Sequence, residues 1–214
     1  MKKVYKYIIA AVIVLVVAYY SVSFENLEEI KQQRRRATFN AAEYASDFWD
    51  NRLNSCLDKA VDAEELIELF NTNMAEAIEK YGRAPGVSRV YAYLLEGEGK
   101  ILEMSEDSID ISLKEPWTKP DIRIVTGFYI PGNAVRDASG LIDVSDFSDT
   151  MKFNEIGNEI NKIVVKEVIK PFFEKSPKSG DTVSFTGATK VEQDATGEKK
   201  LKIIEVVPIK LELE

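Results

Sequence analysis

An uncharged run from Tyr7 to Phe24 constrains this chain more than any other feature. Its centre, residues 8–17, contains only Ile, Ala, Val and Leu. At about 1.5 Å per residue, a helix over the run reaches roughly 27 Å, close to the ~30 Å hydrocarbon thickness of a bilayer. A buried helix of a soluble domain rarely extends this far without a polar face. We therefore predict a transmembrane or signal-anchor helix in residues 1–24, which contacts the cytoplasmic membrane through residues 7–24.

The end of this run leaves two fates open. The small residues Ser21 and Ser23 fit a signal-peptidase site before Phe24. Tyr19 and Tyr20 are instead typical of the aromatic belt at the end of a full-length span. We favour a retained anchor, whereas a protein cleaved after Ser23 would be secreted.

Residues 25 onward are predicted to lie outside the cytoplasm, because a large domain behind a first signal-like segment usually translocates. The expected location is the cell membrane, spanned once, with the main domain in the periplasm. The formal net charge of −8 becomes −11 without residues 1–24, which contain three lysines and no acidic residue. Such an acidic surface repels phosphate backbones, which argues against nucleic acid as a partner.

The sequence contains no histidine and a single cysteine, Cys56. This composition excludes a Ser-His-Asp triad, a Cys-His pair, an internal disulfide and any thiolate-rich or imidazole metal site. We therefore predict a protein that is not an enzyme and that has no cofactor and no catalytic or metal-binding residues. Carboxylate-based hydrolysis of glycans stays an alternative, because the 36 acidic residues always offer pairs of acids.

Residues 25–83 are predicted to form a helical arm. Between Glu25 and Tyr81 there is neither Gly nor Pro, and apolar residues recur at spacings of three and four. Asp62 is placed to cap a second helix and Gly82 to stop it, so two amphipathic helices joined near Val61 and Asp62 form a helical hairpin. A structural scaffold that docks a partner through this arm is a further alternative function.

Residues 84–214 alternate between β-rich runs and one helical pattern. The β-rich runs are Val87–Leu95 and Lys100–Met104 around a predicted hairpin turn at 96–99, then Ile109–Leu113, Ile122–Ile130, Asp181–Val191 and Leu201–Leu213. The helical pattern spans about Met151–Phe173, and Pro171 is expected to end or kink it. With the first hairpin taken as one segment, this order predicts an α+β fold: a five-stranded OB-like β-barrel with a helix between strands 3 and 4. An open α+β sheet gives the same order.

A long connection, Thr126–Phe147, carries the most distinctive sequence. The run GNAVRDASGLI at residues 132–142 resembles the signature of a bacterial family of predicted periplasmic lipoproteins, domain of unknown function 2291. Residues 39–45 with Trp49, 181–187 and 206–209 are similar to that family's pattern as well. The resemblance implies an extracytoplasmic protein associated with sugar ABC-type uptake. The sequence departs from the lipoprotein label because no Cys precedes Cys56.

Polar residues of this connection and of the following helix are the candidate binding residues. They are Asn133, Arg136, Asp137, Asp143, Asn154, Asn158 and Asn161. In one interpretation, the guanidinium of Arg136 and the three amides that share a helix face bind a polyol or a peptide group. In the other, Arg136 pairs with a buried carboxylate, and the Asp and Asn side chains cap turns and loop backbone.

These features together predict a membrane-anchored extracytoplasmic accessory or binding protein. Its expected partner, besides the membrane, is a transporter component or a small polar ligand.

Overall fold

The computed structural model describes residues 6, 11–16, 39–86, 88–147, 149–193 and 203–214. Backbone contacts divide the chain into two compact units, Met1–Asn40 and Ala41–Glu214. Residues 11–16 are helical, whereas the rest of the predicted anchor and the cleavage site after Ser23 lie outside the described residues. No helix within the described ranges is both long and apolar enough to cross a membrane.

A closed barrel forms the centre of the second unit. Its five strands, preceded by the short strand β1 (Val61–Asp62), are β2 (Val90–Met104), β3 (Ser108–Ser112), β4 (Ile122–Val125), β5 (Thr182–Glu192) and β6 (Ile204–Leu213). Strand β2 pairs with β3, β3 with β4, β4 with β6 and β6 with β5, and β5 returns to β2. All these pairings are antiparallel except β4–β6, which is parallel. The predicted barrel is confirmed.

The predicted hairpin turn at residues 96–99 is wrong, because β2 runs through it without a break. Gly97 pairs with Phe185 and Gly99 with Val183 in a continuous antiparallel ladder with β5. A Cβ atom at Gly99 would lie 2.6 Å from the carbonyl oxygen of Ser112. Glycine is therefore needed here for the close approach of β3 and not for a turn.

Alternate residues of the barrel strands point into the core, as the period of two in an extended chain requires. In β3 and β4, Ile109, Ile111, Ile122 and Ile124 are fully buried. Each such side chain stabilises the fold by about 1.5–3 kcal/mol relative to an exposed one. The predicted strand Ile122–Ile130 ends earlier than expected, at Val125.

From Ala41 onward, the predicted helical arm lies in the same compact unit as the barrel. Its helices are α1 (Ala41–Asp47), a π-helical turn (Phe48–Arg52), α2 (Asn54–Leu57), α3 (Ala63–Thr72) and α4 (Met74–Tyr81). Asp62 caps α3 as predicted, with Oδ1 accepting from the backbone N–H of Glu65 at 3.0 Å. The two predicted helices were expected to be joined near Val61 and Asp62. These two residues form the short strand β1, which pairs with β2.

The long helix lies between β4 and β5, the third and fourth barrel strands, as predicted. It consists of α6 (Thr150–Ile163), a π-helical turn (Val164–Ile169) and α7 (Lys170–Glu174), and it follows the short helix α5 (Ala134–Ser139) and a 3-10 turn (Val144–Asp146). Pro171 lies in the first turn of α7, directly after the π-helical turn. The missing N–H of Pro171 is thus accommodated by a wider turn, and the helix continues to Glu174.

Candidate binding groove

A groove of about 580 Å³ lies between the loop after β4 and the long helix. One wall is the loop segment 128–130. The other wall is formed by residues of α6, the π-helical turn and α7, namely Glu155, Asn158, Glu159, Asn161, Lys162, Val165, Lys166 and Lys170.

Two adjacent aromatic side chains form the loop wall. Phe128 is 90% exposed and Tyr129 is 77% exposed. The next residue, Ile130, is buried and anchors the loop in the body of the protein. Because apolar surface left in water is unfavourable, exposed aromatic patches commonly mark interaction sites.

Asn161 fixes the loop wall to the helix wall. Its side-chain Nδ2 donates to the carbonyl oxygen of Ile130 at 3.1 Å and to that of Gly132 at 2.8 Å. Asn161 is only 7% exposed, so water competes little for these bonds. The bonds therefore hold the aromatic pair at a set distance from the helix.

Asn133 and Gly157 bring α5 against α6. The Oδ1 atom of Asn133 is buried and has no hydrogen-bond partner within the described part of the chain. A Cβ atom at Gly157 would lie only 1.8 Å from that oxygen. The two helices can approach this closely only because residue 157 has no side chain.

On α5, the neighbouring residues Arg136 and Asp137 form a buried ion pair. The Nε and Nη2 atoms of Arg136 lie 2.8 and 2.6 Å from Oδ1 of Asp137. The other carboxylate oxygen, Oδ2, accepts a bond of 2.7 Å from Nζ of Lys190 on β5. Arg136 is only 3% exposed, and the Lys190 side chain is 31% exposed. This cluster ties α5 to the barrel.

The other side of the Arg136 guanidinium contacts α6. Its Nη1 atom donates to the carbonyl oxygen of Phe153 at 2.6 Å and makes a longer contact of 3.5 Å with Oδ1 of Asn154. The guanidinium carbon also lies 3.4 Å from the centre of the Phe153 ring. Burial lowers the pKa of Arg136, and the carboxylate of Asp137 opposes that shift. Arg136 thus has its donors directed at protein groups.

The candidate binding residues do not converge on one cavity. Asn158 and Asn161 line the groove, whereas Arg136, Asp137 and Asn133 are directed into the protein. Exposed Asp143 accepts bonds of 2.7 Å from both the backbone N–H and the hydroxyl of Ser145, and the backbone bond lowers the pKa of its carboxyl. Arg136, Asp137 and Asn161 make hydrogen bonds that hold parts of the fold together. That any of the candidate residues contacts a ligand stays a prediction.

The aromatic pair was missed from the sequence because Phe128 and Tyr129 were placed in an overlong strand. Their position after Gly127, within a segment rich in Gly and Pro, was the signal that could have found them. No group of three or more His, Cys, Asp or Glu side chains in the described ranges is arranged to hold a metal ion.

The closed five-stranded barrel, with a helix between its third and fourth strands, defines an OB-fold protein. The crystal structure of an OB-fold protein from Thermotoga maritima MSB8 is similar, with a TM-score of 0.72 and 27% sequence identity over 83% of this chain and 99% of that chain. No curated protein matches the sequence. The chain belongs to the predicted periplasmic lipoprotein family, domain of unknown function 2291, which matches residues 12–212. The family resemblance is therefore confirmed, and it indicates an extracytoplasmic, membrane-anchored protein.

Proposed function

We propose that this protein is a non-enzymatic accessory or binding protein on the extracytoplasmic side of the membrane, and that it binds its partner in the groove beside Phe128 and Tyr129. The observation that carries the proposal is the exposure of this aromatic pair, 90% and 77%, along a groove of about 580 Å³. A retained span within residues 7–24 would hold the domain at the membrane. The partner is a component of a sugar ABC-type uptake system or a small polar ligand.

The rigidity of the groove supports a binding role. The loop wall is held by the two bonds from Asn161, and the helix wall is tied to the barrel through Arg136 and Asp137. A wall that is already ordered loses little conformational entropy when a partner binds. An apolar wall with a few polar groups beside it is also the usual composition of a ligand site.

The chemistry of Cys56 supports a role without catalysis. The thiol is buried and donates a hydrogen bond to the carbonyl oxygen of Leu53 at 3.0 Å. Burial raises the pKa of the Cys56 thiol, which disfavours the reactive thiolate. For glycan hydrolysis, the acids in the groove are Glu155 and Glu159, which share one helix wall. Glycosidases instead need two acids that flank the scissile bond.

Docking through the arm receives less support from the packing. The apolar stripe of the arm is directed into the unit itself, since Ala45, Phe48, Leu53, Cys56 and Leu57 are buried. The exposed apolar surface of the groove is the better candidate for a partner.

The proposal is tested by affinity capture from detergent-solubilised membranes, with a thermal-shift screen against sugars in parallel. We expect the full-length protein to retain transporter subunits or to be stabilised by a sugar, and the double variant F128A/Y129A to lose that binding. The matched control is M151A, because Met151 is 67% exposed on α6 and does not line the groove. A double variant that keeps every captured subunit and every sugar-induced shift would refute the groove assignment.

Location is tested separately by protease treatment of spheroplasts. We expect the domain to be digested, because it lies outside the cytoplasm. A domain that stays intact until the membrane is lysed would contradict this placement. Mass determination of the N-terminus then distinguishes the retained span from cleavage after Ser23.

A further inference from the structure

Charged side chains along the groove are arranged in a definite order. Between residues 155 and 170 of the helix wall, Nζ of Lys162 lies 2.7 Å from a carboxylate oxygen of Glu159, and Nζ of Lys166 lies 3.4 Å from a carboxylate oxygen of Glu167, which is outside the groove lining. These opposite charges compensate each other. Glu155 and Lys170, both exposed, are the first and last groove-lining residues of the helix wall and have no ion-pair partner within the described part of the chain.

The two uncompensated charges are far apart. Glu155 and Lys170 are separated by fifteen positions along one continuous helical stretch, which corresponds to roughly 22 Å at about 1.5 Å per residue. The apolar surface of Phe128, Tyr129 and Val165 also lines the groove. The groove thus combines a negative end, apolar wall surface and a positive end. A single sugar ring or amino acid is too short to contact both ends.

We propose that the groove binds a peptide segment of a partner protein that is apolar in its middle and carries a basic residue at one end and an acidic residue at the other. This inference rests on the proposed function, because it names the partner of the same groove. An extended chain advances about 3.3 Å per residue, so roughly six to seven residues cover the distance between the charged ends. The basic residue lies beside Glu155 and the acidic residue beside Lys170.

Charge order selects the partner more than it adds affinity. Complementary charges at the rim of an interface orient the ligand and exclude segments with like charges in the same places. A segment with two basic ends would place one of them beside Lys170, and a segment with two acidic ends would place one beside Glu155. Phe128 and Tyr129 supply an apolar contact that does not depend on the charges at the ends of the bound segment.

The experiment is selection of a displayed library of random dodecapeptides against the full-length protein in detergent. We expect enriched peptides with an apolar centre and one basic and one acidic residue about six positions apart. Enrichment should be lost with F128A/Y129A and kept with the control M151A. Against E155K, the enriched peptides should carry acidic residues at both ends, and against K170E they should carry basic residues at both ends.

The double variant E155K/K170E provides the sharpest control, because its groove again has one charge of each sign. Peptides enriched against it should again carry one basic and one acidic residue. A synthetic peptide of the wild-type pattern should bind E155K about tenfold more weakly, with a smaller difference at high salt. Enriched peptides that depend on Phe128 and Tyr129 but keep the same charges against E155K and K170E would overturn the charge order and leave the proposed groove intact. No enrichment would overturn the peptide proposal and leave the proposed function to its own capture and sugar assays, whereas enrichment that survives F128A/Y129A would overturn both.

Discussion

Phe128 and Arg136 lie in the same connection between β4 and α6, yet the apolar residue is 90% exposed and the ionic residue is 3% exposed. Arg136 has donors directed at Asp137 and Phe153, so its interactions are made within the protein. Phe128 and Tyr129 leave their largest apolar faces in solvent. In this connection, a charged side chain stabilises the fold and an apolar pair is available for binding, which is the reverse of what residue type alone would indicate.

Removal of the Asp137 carboxylate is expected to have the largest effect. D137A leaves Arg136 buried without its counter-ion and should lower the free energy of unfolding by about 3–5 kcal/mol. Urea denaturation measures the loss. K190A should cost less, because Lys190 is 31% exposed and water can replace part of its role. If the free energy of unfolding of D137A were within about 1 kcal/mol of the wild-type value, the buried cluster would not contribute clearly more to stability than the exposed aromatic pair.

Asn161 connects the two regions, so its loss should affect both. N161A removes the donor to Ile130 and Gly132 and should destabilise the protein by about 2 kcal/mol. Amide exchange should quicken in the loop around residue 130, and groove binding should weaken. N158A is the matched control for stability and amide exchange but not for binding, because Asn158 is exposed on the same helix and itself lines the groove. Equal effects of the two substitutions would show that Asn161 does not hold the loop.

The contact between Asn133 and Gly157 gives a prediction with a change of sign. G157A should destabilise the protein by about 1 kcal/mol, because the clash with Asn133 exceeds the gain in helix propensity. In an N133G background the whole side chain is removed, including the Cβ that would lie 3.0 Å from a Cβ at residue 157, and the same substitution should stabilise by about 1 kcal/mol. Denaturation of the four proteins in this cycle measures the coupling. Additive effects would contradict the close approach.

The aromatic pair should contribute least to stability. F128A/Y129A is expected to change the free energy of unfolding by no more than about 0.5 kcal/mol, because both side chains are mostly in solvent. The same denaturation assay provides the check. A loss of more than about 1 kcal/mol would mean that the pair packs within the fold, and the comparison with Arg136 would fail.

The order of the barrel strands could be predicted because each strand carries its own alternation of apolar residues, as in β3 and β4. The continuity of β2 could not, since Gly99 is dictated by the Ser112 carbonyl of a neighbouring strand. The early end of β4 also depends on a distant group: the backbone N–H groups of Thr126 and Gly127 donate to the carbonyl oxygen of Asp107 at 2.8 and 3.0 Å. The exposure of Phe128 follows from that turn.

The candidate site shows the same limit. A buried carboxylate partner for Arg136 was one of two interpretations of the sequence, and the structure supplies it in Asp137. Lys190, the second cation of the cluster, comes from β5, and no local pattern connects it to residue 137. Local periodicity therefore located the connection, while tertiary contacts decided which of its side chains are buried and which are available to a partner.

Closure of the barrel has a consequence for the order in which the protein folds. The ladder between β2 and β5 runs from Val90↔Glu192 to Lys100↔Thr182, so it joins the first barrel strand to the fourth, across most of the barrel sequence. Pairing over such a separation in sequence is slow, because a long loop must close first. Until residue 192 is available, the edge of residues 90–100 is an open template for strands of other chains. The protein can therefore close its barrel only after residues 90–213 have all been made.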